Sequence, residues 1–338
     1  MIEVNVDLGD RSYPVLVGAG ARHELGHYLP EKTRRVAIVT QDGIGWASNL
    51  ATDADESVHM IPDGESAKTL ATIEMLCDEF VGAGLTRADT VVGVGGGVVT
   101  DVAGFAASVY YRGVAVIHVP TTLLGMIDAA IGGKTGVNLR AGKNLAGAFW
   151  QPTAVLCDTE ALTTLPPREM RSGLGELAKY HFLTGEDLDA LPLEKQIAAA
   201  VQIKANAVSA DEHEKTGVRA TLNYGHTLAH ALETAGNYDL RHGEAVAIGL
   251  MYAARLAALL GRIDEARVAQ HARVLASHDL PISIPSSAEP DELVRIMRRD
   301  KKATGDGLTF VLDGPRGVEL VSDVPEDIVL AAMKQLRG

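Results

Sequence analysis

The chain has 338 residues, of which 46% are hydrophobic and 22% are charged, a composition that is typical of folded proteins and excludes disordered and fibrous classes. The formal net charge of -13 argues against a nucleic-acid partner, because a phosphate backbone requires a basic protein surface. No run of about 18 apolar residues and no basic, apolar leader is present, so we expect no membrane partner and predict a cytoplasmic protein.

The first half of the chain alternates strand-like runs with helix-like periods. We predict strands at residues 35–40, 57–62, 90–97, 114–120 and 153–158, and helices at about 67–84, from about 98 and from about 121. Strands that alternate with helices indicate βαβ units and a mainly parallel sheet. Ligands of such sheets bind beyond the carboxyl ends of the strands.

The second half of the chain is mostly helical after the segment LPPRE at 165–169, as in residues 193–212 and 243–261. A hairpin at 308–321 is predicted before a last helix from about Pro325. The predicted fold class is therefore α/β. An N-terminal nucleotide-binding domain with a mainly parallel sheet covers 1–160, and a mostly α-helical metal and substrate domain covers 161–338.

A glycine-rich segment, GVGGGVVTD from Gly93 to Asp101, ends a predicted strand and opens a helix. Backbone N–H groups at a helix N-terminus can hold a pyrophosphate, so this segment is a candidate nucleotide loop. Its spacing is not that of the dinucleotide fingerprint G-x-G-x-x-G, because Val98 replaces the third glycine. A glycine turn that only lets the helix pack on the strand is the alternative interpretation.

The sign of the local charge is reversed between Gly95 and Trp150. This stretch has four basic and two acidic side chains within a chain of net charge -13. Lys134 in IGGKTGVN and Lys143 in AGKN are expected in glycine-flanked loops, where an ammonium group can reach a phosphate or a carboxylate. The pattern favours an anionic small molecule as ligand, the alternative being ordinary solvated lysines.

A metal site in this chain must use His and carboxylate ligands, because the two cysteines are far apart in sequence. His226 and His230 have the i,i+4 spacing of a metal pair, and either Glu176 or His242 would complete three ligands for Zn²⁺. Thr227 stands where a metalloprotease would need its general-base Glu. Spacing alone does not choose between His230 and His242 as a ligand.

Together these segments resemble the 3-dehydroquinate synthase family of sugar-phosphate cyclases. The resemblance runs from about Asp42 to Lys302 and rests on the following series of motifs in the family's order: GGGVVTDVAGFAASVYYRG, VPTTLLGMIDAAIGGKTGVN, GKNLAGAFWQP, LPPREMRSGLGELAKY, LNYGHTLAHALE, HGEAVAIGL and RDKK. The series is far more specific than any one of its members.

The resemblance implies a zinc ion, with cobalt as the alternative, held by Glu176, His226 and His242. It therefore moves His230 to the substrate side, with Glu214 as its acid/base partner. The catalytic residues that it implies are His230, Glu214, Lys179 and Lys134. The implied substrate-binding residues are Arg112, Asp128, Lys134, Asn144, Lys179, Lys204, Arg219, Asn223, Lys301 and Lys302.

NAD is the second cofactor that the resemblance implies. Its expected contacts are Asp42, Asp63, Gly64, Glu65, Lys68, Gly95, Gly96, Gly97, Val98, Asp101, Thr121, Thr122, Lys143, Thr163 and Thr164. Two departures from the family's pattern stand out. Ala129 replaces a serine, and the segment DEHEKTGVR at 211–219 is one residue longer than usual, which affects the alignment of Glu214 and Arg219.

The activity implied by the resemblance is the conversion of 3-deoxy-D-arabino-heptulosonate 7-phosphate to 3-dehydroquinate and phosphate in the shikimate pathway. The steps are a transient NAD-dependent oxidation at C5, β-elimination of phosphate, re-reduction, and intramolecular aldol closure. The alternatives are a related cyclase of the aminodehydroquinate or valiolone type and an NAD- and metal-dependent polyol dehydrogenase. A non-enzymic nucleotide-binding module would leave the metal residues without a purpose. The resemblance also implies a homodimer.

Overall fold

The structure, a computed structural model, describes residues 1–48, 50–236, 239–300 and 308–337. In these residues no helix combines the length and the apolar character that a membrane span requires. The chain divides into two compact units, Met1–Pro166 with Leu191–Ser209, and Pro167–Ala190 with Ala210–Gly338. The segment 191–209, placed by the sequence in the second domain, thus groups with the first unit. The functions expected of the two domains stay predictions.

The strands of the described residues are β1 Ile2–Val6, β2 Tyr13–Gly18, β3 Arg35–Gln41, β4 Asp55–Ile61, β5 Thr90–Gly95, β6 Ala115–Pro120, β7 Lys134–Leu139, β8 Gly142–Phe149, β9 Ala154–Asp158, β10 Leu308–Leu312 and β11 Glu319–Val324. The α-helices are α1 Leu25–Tyr28, α2 Leu70–Gly82, α3 Gly97–Val109, α4 Pro167–Thr184, α5 Leu193–Ala210, α6 His226–Ala235, α7 His242–Leu259, α8 Glu265–Ser277, α9 Pro290–Asp300 and α10 Glu326–Gln335.

A seven-stranded sheet forms the centre of the first unit, in the order β1-β2-β9-β6-β5-β3-β4. Every neighbouring pair is parallel except β1 with β2. The central strands are almost entirely buried runs of Val, Ile and Ala, which is typical of a parallel sheet covered on both faces. The predicted α/β fold with a mainly parallel sheet is confirmed. Strands β1 and β2 were not predicted.

A hairpin made by β7 and β8 corrects two expectations. The helix predicted from about residue 121 is short and includes one π-helical turn at Gly125–Ala129. The loops expected around Lys134 and Lys143 are antiparallel strands. The prediction was wrong because the glycines were interpreted as turn residues. A Cβ on Gly147 would overlap the backbone oxygen of Thr135, so glycine here permits close approach of the two strands.

The second unit has a helical core in which α7 is buried along most of its length. Glycines set the separation of its helices. A Cβ on Gly243 would overlap the backbone of Ser172 in α4, and one on Gly249 would overlap the backbone of Gly225 just before α6. Helix α7 therefore lies directly against α4 and the start of α6. The hairpin β10–β11 and the last helix α10 confirm the predictions for this region.

Candidate active site

Three side chains from different helices of the second unit meet in its interior: Glu176 from α4, His226 at the start of α6 and His242 at the start of α7. One donor atom from each lies within 4.8 Å of the others. Glu176 is fully buried, and its Oε2 has no hydrogen-bond partner among the described residues. His226 Nε2 lies 3.7 Å from that oxygen. This distance between a buried carboxylate oxygen and an imidazole nitrogen is the distance expected between two ligands of one cation.

Both imidazoles use Nδ1 for contacts that leave Nε2 as the ligand atom. The Nδ1–H of His226 donates to the backbone oxygen of Tyr224 at 3.1 Å, and the Nδ1–H of His242 donates to Glu233 Oε2 at 3.3 Å. Burial holds the pKa of His226 well below its ordinary value, and the ammonium group of Lys179 lowers it further. A neutral imidazole whose second nitrogen is held by a carbonyl or a carboxylate is the usual form of a metal-binding histidine.

The donor set of two imidazoles and one carboxylate fits zinc or cobalt and leaves a coordination position for another ligand. Lys179, one turn after Glu176 on α4, is also buried and donates to Glu176 Oε1. This contact fixes one oxygen of Glu176 and leaves the other directed at the imidazoles. The residues present therefore fit a divalent metal ion.

His230 is not part of this group of donor atoms within the described residues. Its ring packs edge to face against that of His226, with the ring centroids 5.4 Å apart. The structure thus groups Glu176, His226 and His242, the set implied by the resemblance, and does not group the i,i+4 pair with a third ligand. The substrate-side role of His230 stays a prediction.

Glu233 was missed by the sequence interpretation, although it follows His226 by two helical turns on α6. We expect Glu233→Gln to lower zinc affinity by about 10- to 100-fold, because it weakens the acceptor that orients His242. Competition with a chelator measures this change. The matched control is Glu265→Gln, an exposed glutamate that pairs with Arg255. Equal losses in the two variants would mean that general charge, and not the contact with His242, sets the affinity.

The segment 211–219 is organised around Asp211. Its carboxylate accepts hydrogen bonds from the backbone N–H groups of residues 215, 216, 217 and 219. Burial alone would raise the pKa of Asp211, but these donors outweigh it and lower the pKa to about 2. The segment has left-handed backbone at Glu214 (φ 55°) and Gly217 (φ 85°). This arrangement brings Glu214 Oε1 to 3.7 Å from Nε of the buried Arg219.

The carboxyl ends of the six parallel strands lie at one edge of the sheet in the first unit, and predicted NAD contacts follow five of them. The predicted NAD contacts follow these ends, at Asp42 after β3, Asp63 after β4, Gly96 after β5, Thr121 after β6 and Thr164 beyond β9. This edge is where such sheets bind ligands. The structure therefore brings residues that are distant in sequence to one side of the sheet, and their cofactor role stays a prediction.

The glycine-rich segment joins β5 to α3, with Gly96 as the residue before the helix. A Cβ on Gly95 would overlap the side chain of Val99, so packing alone requires that glycine. A Cβ on Gly97 would lie 3.1 Å from that of Ala129, which stands where the family resemblance implies serine. Helix packing therefore accounts for part of the glycine pattern. The N-terminus of α3, which no side chain caps among the described residues, is the part that fits a phosphate.

Lys68 binds both a predicted cofactor residue, Asp101, and a predicted substrate residue, Asn144, in the first unit. Its buried ammonium group donates to Asp101 Oδ2 at 2.6 Å and to Asn144 Oδ1 at 2.5 Å. Burial raises the pKa of Asp101 to about 6, although Lys68 lowers it. Asn138, which the sequence did not single out, accepts from the N–H of Asn144 at 2.8 Å and donates to Glu65 at 2.6 Å. The hairpin is thereby connected to the loop after β4.

The remaining predicted substrate residues occur in both units. Lys204 of α5 donates to the backbone oxygen of Asp128 at 2.5 Å and to its carboxylate. Arg112 is exposed and has left-handed backbone (φ 67°). Lys134 and Asn223 are exposed on β7 and just before α6. The predicted contacts Lys301 and Lys302 lie outside the described residues.

A cavity beside Thr164 was also missed by the sequence interpretation. It has a volume of about 360 Å³ and is lined by Arg22, Gly43, Gly45, Trp46 and Thr164. Trp46 Nε1 donates to Thr164 Oγ1 at 3.2 Å, and the guanidinium carbon of Arg22 lies 4.6 Å from the centre of the Trp46 ring. Asp158 at the end of β9 holds Arg22 through Oδ2 at 2.5 Å. Because these contacts are far apart in sequence, no local pattern predicts the cavity.

Comparison with known proteins identifies the family. Residues 58–172 match the 3-dehydroquinate synthase N-terminal family and residues 173–303 match the 3-dehydroquinate synthase C-terminal family. The chain belongs to the 3-dehydroquinate synthase family. One relative is a provisionally named aminodehydroquinate synthase of Amycolatopsis mediterranei, 52% identical over 98% of this chain and 94% of that protein. The 3-dehydroquinate synthase of Mycobacterium leprae is 44% identical over 90% of each chain.

Two solved structures of the family's fold are similar along nearly the whole chain. The 2-deoxy-scyllo-inosose synthase complexed with carbaglucose-6-phosphate, NAD⁺ and Co²⁺ has a TM-score of 0.87 and 28% identity, covering 99% of this chain and all of that one. The 2-epi-5-epi-valiolone synthase of Streptomyces hygroscopicus, with NAD⁺ and Zn²⁺ bound, has a TM-score of 0.81 and 29% identity, covering 99% of each chain.

Proposed function

We propose that this family member is an NAD- and metal-dependent cyclase that converts 3-deoxy-D-arabino-heptulosonate 7-phosphate to 3-dehydroquinate and phosphate, a step of aromatic amino acid biosynthesis. The observation that carries the proposal is the group formed by the buried Glu176 and His226 and the half-buried His242, with the buried Lys179 bound to Glu176. A metal triad that is open on the side of His242 and lies beside a buried cation suits a substrate that presents both a hydroxyl and an anionic group. An uncharged polyol would not need that cation.

Two cofactors are part of the proposal. Glu176, His226 and His242 would hold Zn²⁺ or Co²⁺, and the carboxyl edge of the sheet with the N-terminus of α3 would hold NAD⁺. When bound, the metal ion would acidify a substrate hydroxyl, and NAD⁺ would accept the hydride from C5 and later return it. The related structures that contain NAD⁺ with Co²⁺ or Zn²⁺ support this assignment.

The chain's own residues would then bind the substrate and move its protons. Arg112, Lys134 and Lys204 would bind the phosphate or the carboxylate of the substrate, and the contact with Asp128 would orient the Lys204 ammonium group. His230 and Glu214 would exchange protons with the substrate, and Arg219 would orient Glu214. The C5 ketone acidifies the neighbouring C6–H bond, so that loss of this proton expels phosphate from C7. After C5 is reduced again, ring opening and aldol closure complete the reaction without net oxidation.

The proposal is tested by incubating the purified chain with the heptulosonate phosphate, Zn²⁺ and NAD⁺. We expect one phosphate released for each 3-dehydroquinate formed, with 3-dehydroquinate identified by mass. Omitting either cofactor from protein stripped of both should abolish phosphate release. Phosphate release without a carbocyclic product would make the chain a phosphatase and contradict the proposal.

An aminodehydroquinate synthase activity is the second candidate, favoured by the 52% identity to the Amycolatopsis mediterranei relative. Its substrate would carry an amino group in place of one hydroxyl of the heptulosonate phosphate. We expect kcat/KM to be at least about 10-fold higher for the hydroxyl substrate, since an added ammonium charge is unfavourable in a site that already contains the buried cation of Lys179. The reverse preference, measured with both substrates under the same conditions, would establish the second candidate.

A further inference from the structure

A second group of potential metal ligands lies at the carboxyl end of α4, apart from the triad. Its first member is His181, whose side chain is only 6% exposed. His181 Nδ1 is buried and has no hydrogen-bond partner in the described part of the chain. Buried polar atoms without a partner are rare in folded proteins and call for an explanation such as an ion.

The end of α4 brings two carboxylates to this nitrogen. Gly185, with φ +73°, donates its N–H to the backbone oxygen of His181 at 3.2 Å and reverses the chain. Asp187 and Asp189 follow, the second within the short 3-10 helix Leu188–Ala190. Donor atoms of His181, Asp187 and Asp189 all lie within 4.8 Å of one another.

The distances fit an ion better than a direct contact. His181 Nδ1 and Asp187 Oδ1 are 3.9 Å apart, which is too long for a hydrogen bond. Two ligands that each lie about 2.0–2.2 Å from one ion can span this separation. Burial also lowers the pKa of His181, against the opposing charges of Asp189 and Asp187.

The surroundings favour a cation. His278 Nε2–H donates to Asp189 Oδ1 at 3.0 Å and fixes that carboxylate from outside, as outer-sphere partners of metal ligands do. The carboxyl end of α4 presents its partial negative charge to the same place. Arg267, whose charge also acts on His181, is bound through Nε to Asp313 at 2.6 Å.

We propose that His181, Asp187 and Asp189 form a second divalent-cation site, with His278 as the residue that positions Asp189. One imidazole and two carboxylates suit a zinc-class ion, with water completing the coordination. The ion would link the carboxyl end of α4 to the turn that follows it. Helix α4 also contains Glu176 and Lys179. Because Asp187 is 71% exposed, this site binds more weakly than the less exposed triad and loses its ion on desalting.

Equilibrium dialysis against Zn²⁺ alone tests the proposal, in a His242→Ala background that removes the triad as a tight site. After chelator treatment and dialysis, metal analysis should find one zinc per chain at saturation. Adding Asp187→Asn should weaken this binding by at least about 10-fold, since even outer-sphere partners of metal ligands contribute that much. Asp187 is exposed, so the substitution should leave folding intact, and circular dichroism verifies this.

Glu186→Gln, in the same background, is the matched control because it removes the same charge from an exposed neighbour of Asp187. It should retain the zinc affinity of its parent. Absence of saturable zinc binding in His242→Ala, or an equal loss in the Glu186 and Asp187 variants, would overturn the second site. Neither outcome affects the proposed cyclase activity, which is tested by phosphate release. In the wild-type background, Asp187→Asn should leave the turnover number unchanged.

Discussion

Replacing His242 by alanine is expected to give a folded protein that retains no metal after gel filtration and forms no product. Removing one ligand from a three-residue site leaves too few donors for tight binding. His230→Ala is expected to retain about one zinc per chain and to lower kcat by about 10²- to 10⁴-fold, because a lost acid/base group slows proton transfer without affecting the metal. Metal analysis after desalting, with circular dichroism as the test of folding, measures both variants.

The two variants serve as controls for each other. Both imidazoles contact the ring of His226 with ring centroids 5.4 Å apart, so general damage to the site would lower metal content in both. Zinc lost from His230→Ala and kept in His242→Ala would show that the i,i+4 pair binds the metal. The assignment of Glu176, His226 and His242 would then be wrong.

Asp101→Ala is expected to lower the free energy of unfolding by about 3 kcal/mol, because it leaves the buried ammonium group of Lys68 without its carboxylate. The value is at the lower end of the range for broken buried pairs, since Asn144 still accepts from Lys68. Urea denaturation of the variants, followed by far-ultraviolet circular dichroism, measures the loss.

The control for this stability prediction is the double variant Lys68→Met with Asp101→Ala. Removing the ammonium group as well should restore a large part of the lost stability, because no uncompensated charge then remains buried. If the double variant is as unstable as the sum of the two single variants, the pair is not coupled and the stability effect of Asp101 comes from packing.

The periodicity of the sequence was sufficient to predict five of the six parallel strands, because the central ones are short, nearly continuous apolar runs. Strand β2, which pairs in parallel with β9, was not predicted. The hairpin β10–β11 was also predictable, since its turn residues are local. By contrast, β7 and β8 contain Gly136 and Gly147 at the point where the two backbones approach. In the sequence such glycines are typical of turns. Only the pairing of the strands shows that they allow the two backbones to approach closely.

The candidate site was predictable in its residues but not in its contacts. Spacing left the choice between His230 and His242 open, and the resemblance to the family favoured His242. Helices α6 and α7 are brought together by glycine packing that no local pattern reports. The contact of Lys68 with Asp101 and that of Glu233 with His242 were not predicted for the same reason. Pairings between distant segments depend on the tertiary fold.

Under the proposed function, NAD⁺ is used and restored within one catalytic cycle. The direct test is to follow phosphate and NADH together while the chain, stripped of nucleotide, turns over an excess of the heptulosonate phosphate with less than one NAD⁺ per substrate. We predict that phosphate reaches the amount of substrate added while NADH never exceeds the amount of enzyme, because the hydride returns to C5 in every cycle. NADH that accumulates in proportion to product, with turnover ending when NAD⁺ is exhausted, would make the chain a net dehydrogenase and contradict the proposed function.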